Sequence, residues 1–457
     1  MLRLPFRSAL LWAGYRHGGR PGLAMLIVAL SLASCGGFGS GPPSRSNFPG
    51  DLPRIPWHGG PSYYSSYGVA ANAGWTRDTF FPVGAWYMRA ASQSDLQLYK
   101  SLGFNLDVAV ESNASIPLLR ANGMFAFPLD VKNVGAETVG LTLVDEADMK
   151  YRAGADRWTG KDGWNTCVPI QDKGGRCGYT VMSTLLRGHP ATEGRLRYAN
   201  YGKGIFPGWM SEIDFARFVN DFTNVVSDDL YWYTDPSICV DAQGPTIIKG
   251  SGPVSRYTSL HDLLPSECRR SANYGAVVDR MRKIDSLDGK FQPVYAFVEA
   301  GTPADGGGTI TGPQLEGAVM SSLIHGAAGI LYFKHNFGGP CVTNDVFVDC
   351  PSAPKESTSR INGYIRELAP VLNSQSVDYS FDPDVDSMLK WHGGAAYVFA
   401  MAHQGKIGRR TFVLPPGLHV KTVSVMHENR SLPVRGGKFS DSFENEFTYH
   451  IYRIVPR

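Results

Sequence analysis

Beginning near Thr79, short apolar runs alternate with amphipathic stretches close to eight times before residue 375, and this alternation constrains the fold more than any other feature. An apolar run of roughly four to eight residues has the length of a buried strand, and the amphipathic stretch after it can cover that strand as a helix. Repetition of this unit predicts a parallel sheet, because each strand is re-entered from the same end through its helix. Strands are expected over residues 80–86, 105–110, 124–128, 139–145, 196–201, 229–234, 293–299 and 329–334, with helices over 95–102, 116–122, 212–225, 274–284, 314–325 and 357–372. Units of this number close into an α/β fold, a (β/α)8 TIM barrel, placed at residues 76–375. Beyond Asn373, apolar runs over 388–391, 396–402, 410–413, 420–427 and 447–454 are separated by turns and by no amphipathic helix, so residues 376–457 are expected to form a β-sandwich accessory domain.

Two intervals break the regularity. Residues 149–180, with Trp158 and Trp164, follow the fourth strand, and residues 236–265 follow the sixth. Both insertions leave strand C-termini, the rim at which a barrel builds its cleft.

Acidic residues mark the same rim. The fourth strand runs Val139-Gly140-Leu141-Thr142-Leu143-Val144 and stops in Asp145-Glu146-Ala147-Asp148, while the seventh runs Val294-Tyr295-Ala296-Phe297-Val298 and stops at Glu299. Cleaving an acetal requires a proton for the leaving oxygen and a negative group for the oxocarbenium-like carbon, so two rim carboxylates suffice for the chemistry. Like-charge repulsion from Asp145 and Asp148 would raise the pKa of Glu146 toward that of a usable acid, and either neighbour is a rival for its role. Other strand ends offer groups that bond hydroxyls or stack on a sugar ring: Trp86 on the first strand, Asn200 on the fifth, Tyr231, Tyr233 and Asp235 on the sixth, and His335 after the eighth. Asp229 shares the face of Tyr231 and Tyr233 by alternation, and His325, inside an apolar helix, reads as structural.

Acids ending strands four and seven resemble clan A of the retaining glycoside hydrolases, barrels that place the acid/base glutamate on strand four and the nucleophilic glutamate on strand seven. The resemblance covers residues 79 to 375 and implies Glu146 as acid/base and Glu299 as nucleophile in a double displacement on an O-glycosidic bond. It also implies a tyrosine of strand six against the nucleophile, Tyr233 before Tyr231. Asp145 departs from the clan's Asn at that position, which leaves the sugar at the scissile bond open. Two readings stand beside this one: a surface carbohydrate-binding lipoprotein without turnover, and a transglycosylase or inverting hydrolase on the same barrel.

The N-terminus sets the compartment. Arg3, Arg7, Arg16 and Arg20 precede the apolar run from Leu23 to Leu30, which is about half of what a membrane span requires. Leu32-Ala33-Ser34-Cys35 then resembles a bacterial lipobox, which implies a signal peptide over residues 1–34, acylation of Cys35 and a lipid anchor, with an outer-membrane or cell-surface location. Residues 35–75, rich in Gly, Ser and Pro, read as a spacer. Of seven cysteines six remain, and proximity pairs Cys167 with Cys177, Cys239 with Cys268 and Cys341 with Cys350 as disulfides of an exported protein. Cys-x-x-Cys spacing and a His-x-His pair on the first strand are both lacking, so neither metal nor cofactor is expected. Without the four leader arginines the basic and acidic residues number 40 and 41, a near-neutral balance that disfavours nucleic acid. The expected partner is a poly- or oligosaccharide, bound by a monomer.

Overall fold

Eight parallel strands order as β3-β2-β1-β8-β7-β6-β5-β4 and curl into a barrel. They are β1 (Val83–Trp86), β2 (Leu106–Val108), β3 (Phe125–Phe127), β4 (Gly140–Asp145), β5 (Leu196–Tyr201), β6 (Val225–Asp228), β7 (Val294–Glu299) and β8 (Gly329–Phe333). Hydrogen bonds draw β3 and β4 together at the seam: Ala126 N–H donates to the Glu137 carbonyl at 2.9 Å, Thr142 N–H to the Pro128 carbonyl at 3.0 Å, and the Thr142 hydroxyl to the Phe127 carbonyl at 2.7 Å. The computed structural model describes residues 48, 51–110, 114–129, 134–150, 178–188, 194–207, 209–240, 243–249 and 262–456; Cys35, Trp158, Trp164, Cys167 and Cys177 lie outside them.

Alternation along each strand divides two cores. Tyr295 and Phe297 of β7 join Trp86, Val108, Phe127, Tyr198 and Phe333 inside the barrel, whereas Val294, Ala296 and Val298 face the surrounding helices. Helix starts are sharply defined. Thr311 and Gln314 form a capping box ahead of the helix Gly312–Ile324, Pro313 occupies its first turn, and every residue from Leu315 to Ile324 is buried against β7, the neighbouring helix Ala272–Asp285 or the helix Lys355–Leu372.

Two expectations are corrected here. The sixth strand is not at 229–234 but at Val225–Asp228, and residues 232–234 form a turn after it. Val225 and Val226 continue the apolar spacing of the helix Glu212–Phe222, which hid the change of period; the chain leaves the helix at Thr223, with φ −116° and ψ 168°, and the β-branched pair enters the sheet. Nor is the segment 35–75 a spacer over its described part. Tyr64 and Trp75 plug the N-terminal mouth of the barrel, the Tyr64 hydroxyl lies 3.0 Å from that of Tyr295, and Trp75 packs on Phe80 and Phe127 at 4.8 and 5.8 Å. Upstream, Ile55 N–H donates to the Ser376 carbonyl and Asp378 N–H to the Pro53 carbonyl, so this segment also edges the C-terminal sheet.

The C-terminal domain is a β-sandwich of an antiparallel six-stranded sheet, ordered β14-β13-β16-β11-β10-β9, and a β12-β15 ribbon. Its strands are β9 (Ser376–Val377), β10 (Val385–His392), β11 (Ala395–Ala402), β12 (Gly408–Val413), β13 (Thr422–Val425), β14 (Arg430–Pro433), β15 (Lys438–Phe443) and β16 (Tyr449–Ile454). Phe412 and Phe439 of the ribbon stack at 4.7 Å and close on Tyr452 of the sheet. Strands β9, β14 and β15 were not expected from sequence, because β9 is two residues long and neither β14 nor β15 contains a run of apolar residues. The described residues of barrel and sandwich belong to one compact unit. Disulfides join Cys239 to Cys268 and Cys341 to Cys350, as proximity predicts.

Candidate active site

A cleft of about 380 Å³ opens at the C-terminal rim of the barrel. Its walls are aromatic, with Trp86, Tyr87, Phe206, Tyr231, Phe297, Phe333 and Phe337, and four carboxylates face it, those of Asp145, Glu146, Asp229 and Asp235. Apolar ring faces beside a few polar groups are the composition that fits a sugar, whose own faces are part apolar and part hydroxyl.

The acids are placed by the sheet beneath them. Asp145 ends β4 opposite Asn200 of β5, whose side-chain amide donates to Asp145 Oδ1 at 3.1 Å. Asn200 is in turn fixed by the Ser227 hydroxyl at 2.8 Å, and Ser227 by the Tyr198 hydroxyl at 2.6 Å. Glu146 follows in the left-handed region, φ 52°, and its N–H donates to the Asn200 carbonyl at 2.9 Å. A non-glycine residue holds that conformation at a cost of about 1–3 kcal/mol, so strain is stored at the cleft wall itself. Tyr87, the residue after β1, lines the same cleft with the same φ of 52°.

Asp229 comes from the next strand but one. Its N–H donates to the Tyr201 carbonyl at 3.1 Å, and the Tyr231 hydroxyl lies 3.5 Å from Oδ2. Burial and then the charges of Glu146, Asp145 and Asp148 push its carboxyl well above the ordinary range. A single point ties it to Glu146: a β-carbon built on Gly202 would stand 3.5 Å from Asp229 Oδ1 and 3.6 Å from Glu146 Oε1, so these oxygens are at most about 7 Å apart. The pair thus falls within reach of one glycosidic bond.

Asp148 and Glu299 are elsewhere. Asp148 has no exposed surface and accepts from Gly204 N–H at 2.6 Å and Gly202 N–H at 3.2 Å, which folds the β5 loop down beside the acids. Burial raises its pKa to about 7, with Glu146 adding to the rise. A β-carbon on Gly204 would meet Asp148 Oδ2 and the Phe215 ring at 2.6 Å, so the close approach needs glycine. Asp148 therefore anchors a loop and does not line the cleft. Glu299 is also fully buried and absent from the cleft wall. Its Oε1 accepts from Tyr233 N–H at 2.9 Å and the Thr234 hydroxyl at 3.3 Å, and its Oε2 from the Tyr274 hydroxyl at 2.5 Å. Burial raises it to about 7, against the lowering effect of these bonds.

The remaining predicted residues divide the same way. Trp86, Tyr231, Asp235 and His335 line the cleft; Asn200 sits behind it, and Tyr233 turns its hydroxyl away toward Ser271. His335 is wedged among Tyr87, Phe333 and Phe337, and burial followed by the Lys334 charge lowers it to about 4, so it is neutral at neutral pH. His325 is not part of the cleft: Asp279 and Asp386, overcoming burial, raise it to about 10, and it bridges a barrel helix to β10. Sequence reasoning missed Phe297 and Phe333 as cleft walls, although their alternation with Tyr295 and Leu331 marks them as inward-facing. It carried no signal for Lys203 and Phe206, at the two ends of the short 3-10 turn after β5, or for Gln243 ahead of the helix Gly244–Ile248, all of which line the cleft.

No protein-family model and no curated protein matches the chain. Solved structures resemble it at low identity. A GH30 endoxylanase from Clostridium papyrosolvens is 11% identical, with 83% of this chain and 97% of that chain covered and a TM-score of 0.42. An α-amylase from Geobacillus thermoleovorans, solved with acarbose, is 10% identical over 82% of this chain and 98% of that chain, with a TM-score of 0.42. An Anoxybacillus α-amylase is 10% identical over 83% and 99% of the respective chains, with a TM-score of 0.38.

Proposed function

We propose that the protein is a glycoside hydrolase acting on an oligo- or polysaccharide, with Asp229 as general acid and Glu146 as the opposing carboxylate. The observation that carries this reading is the convergence of these two side chains on Gly202 in an aromatic-walled cleft at the strand C-termini. Asp229 holds its proton because burial and neighbouring charge oppose ionisation, so it can protonate the leaving oxygen. Glu146 then attacks the anomeric carbon, forming a glycosyl ester as the C–O bond to the leaving group breaks. Asp229, now ionised, takes a proton from water as that water displaces Glu146, which regenerates both groups with configuration retained. Retaining enzymes keep such carboxyls about 5 to 5.5 Å apart, a spacing the 7 Å bound accommodates.

This reading moves the nucleophile from Glu299 to Glu146 and the acid from Glu146 to Asp229. The test is sugar release from a glycan panel, with the anomer followed by proton NMR. Release by wild type, retention of configuration and loss of release in Asp229→Asn support it; inversion would remove the glycosyl ester, and glycan binding without release would turn the reading to a binding protein. Export and acylation at Cys35 belong to the same proposal, and labelling with radioactive palmitate in wild type against Cys35→Ser tests them.

A further inference from the structure

The segment that follows Asp229 is held from two domains. On the barrel side, Glu299 accepts from Tyr233 N–H, and Arg269 Nη1 donates to the carbonyls of Trp232 and Asp235 at 2.7 and 2.8 Å. On the other side, the Tyr233 hydroxyl donates to Glu446 Oε1 at 2.6 Å, and Glu446 Oε2 accepts from Ser271 N–H at 2.8 Å. The hydroxyls of Tyr233 and Ser271 lie 2.8 Å apart, and the Tyr233 ring stacks on Tyr274 at 5.9 Å. Glu446 lies between β15 and β16 of the sandwich, so a carboxylate of the accessory domain grips a loop of the catalytic rim.

We infer that Glu446 is a positioning residue that fixes the loop bearing Asp229 and Tyr231, an inference that rests on the glycosidase reading above. Its two oxygens separate two tasks: one holds the Tyr233 side chain, the other the start of the helix Ala272–Asp285 that carries Tyr274. Releasing the first leaves residues 231–235 held from the barrel side alone, by Glu299 and Arg269, and loosens the loop that carries Asp229, four residues from Tyr233. A charge-assisted bond of this kind is roughly twice as strong as a neutral one. The sandwich therefore serves the chemistry through one loop and not only through packing.

The experiment compares wild type, Glu446→Ala, Tyr233→Phe, the double variant and Glu444→Gln, an exposed neighbour that serves as control. Amide exchange over residues 229–235 is read in each, together with kcat and KM on the glycan identified above. The expected result is faster exchange and a kcat lowered by about 10-fold or more at nearly unchanged KM in both single variants, with the double variant no worse than either. Glu444→Gln should match wild type. Exchange unchanged in folded Tyr233→Phe, or additive losses in the double variant, would overturn the inference. If wild type releases no sugar, the glycosidase reading fails, while the exchange measurement, which needs no substrate, still decides whether Glu446 holds the loop.

Discussion

Replacing Glu299 by Gln separates a structural carboxylate from a nucleophile. Its pKa is raised from 4.5 to about 7 by burial, so the folded state binds its proton more tightly than the unfolded chain does. Stability from this group is complete below pH 4.5 and is lost as pH rises through 7, and the interval corresponds to about 3 kcal/mol at 1.36 kcal/mol per pH unit. Glutamine is a permanent analogue of the protonated acid. Its oxygen accepts from Tyr233 N–H and the Thr234 hydroxyl, and its amide donates to the Tyr274 hydroxyl. Glu299→Gln should therefore approach wild type in urea denaturation at pH 4, exceed it by about 3 kcal/mol at pH 8, and keep hydrolysis within a few-fold. Asp148, raised to about 7 by burial, contributes a pH dependence of the same sign to both proteins and cancels in the difference. Unchanged stability at pH 8 together with abolished turnover would refute the argument and return the nucleophile to Glu299.

Other perturbations address separate parts of the account. Asp229→Asn should lower kcat by about 100- to 10,000-fold on natural glycans and by less on aryl glycosides with good leaving groups, which steady-state kinetics on both substrates will show. The wild-type rate should fall on the alkaline side as Asp229 loses its proton, with the limb above the ordinary carboxylate range, and a pH profile checks the direction. Gly204→Ala places a methyl 2.6 Å from Asp148 and Phe215 and should cost about 1–3 kcal/mol in thermal unfolding while impairing turnover through the β5 loop. Tyr64→Phe removes the buried hydroxyl pair with Tyr295 and should cost about 1 kcal/mol in urea denaturation without touching kcat, because it acts at the opposite mouth of the barrel.

Fold class was legible because it depends on period. The helices 93–101, 272–285 and 355–372 start within two residues of their expected positions, and seven of the eight barrel strands overlap the expected runs. Where two periods coincide the reading failed: Val225 and Val226 extend a helical stripe as well as they begin a strand, and only the turn of the chain at Thr223 decides. That slip put Asp229 at the start of the expected strand, whereas it directly follows the C-terminal end of β6, on the rim. The acids themselves were legible as charges ending apolar runs, but depth was not. Asp145, Glu146 and Asp148 fall within four consecutive positions, yet the left-handed turn at Glu146 sends Asp148 inward to Gly202 and Gly204 while Asp145 and Glu146 face the cleft. Glu299 reads as a rim carboxylate and is covered by the loop after β6, a tertiary contact that no local pattern encodes. The N-terminal plug was obscured by composition, since Tyr64 and Trp75 stand among glycines and serines typical of a linker.

The most direct test of the central claim is sugar release by wild type, Asp229→Asn and Glu299→Gln on one glycan panel under identical conditions. The account predicts release by wild type and by Glu299→Gln and none above background by Asp229→Asn. Release that survives Asp229→Asn and disappears in Glu299→Gln would contradict it.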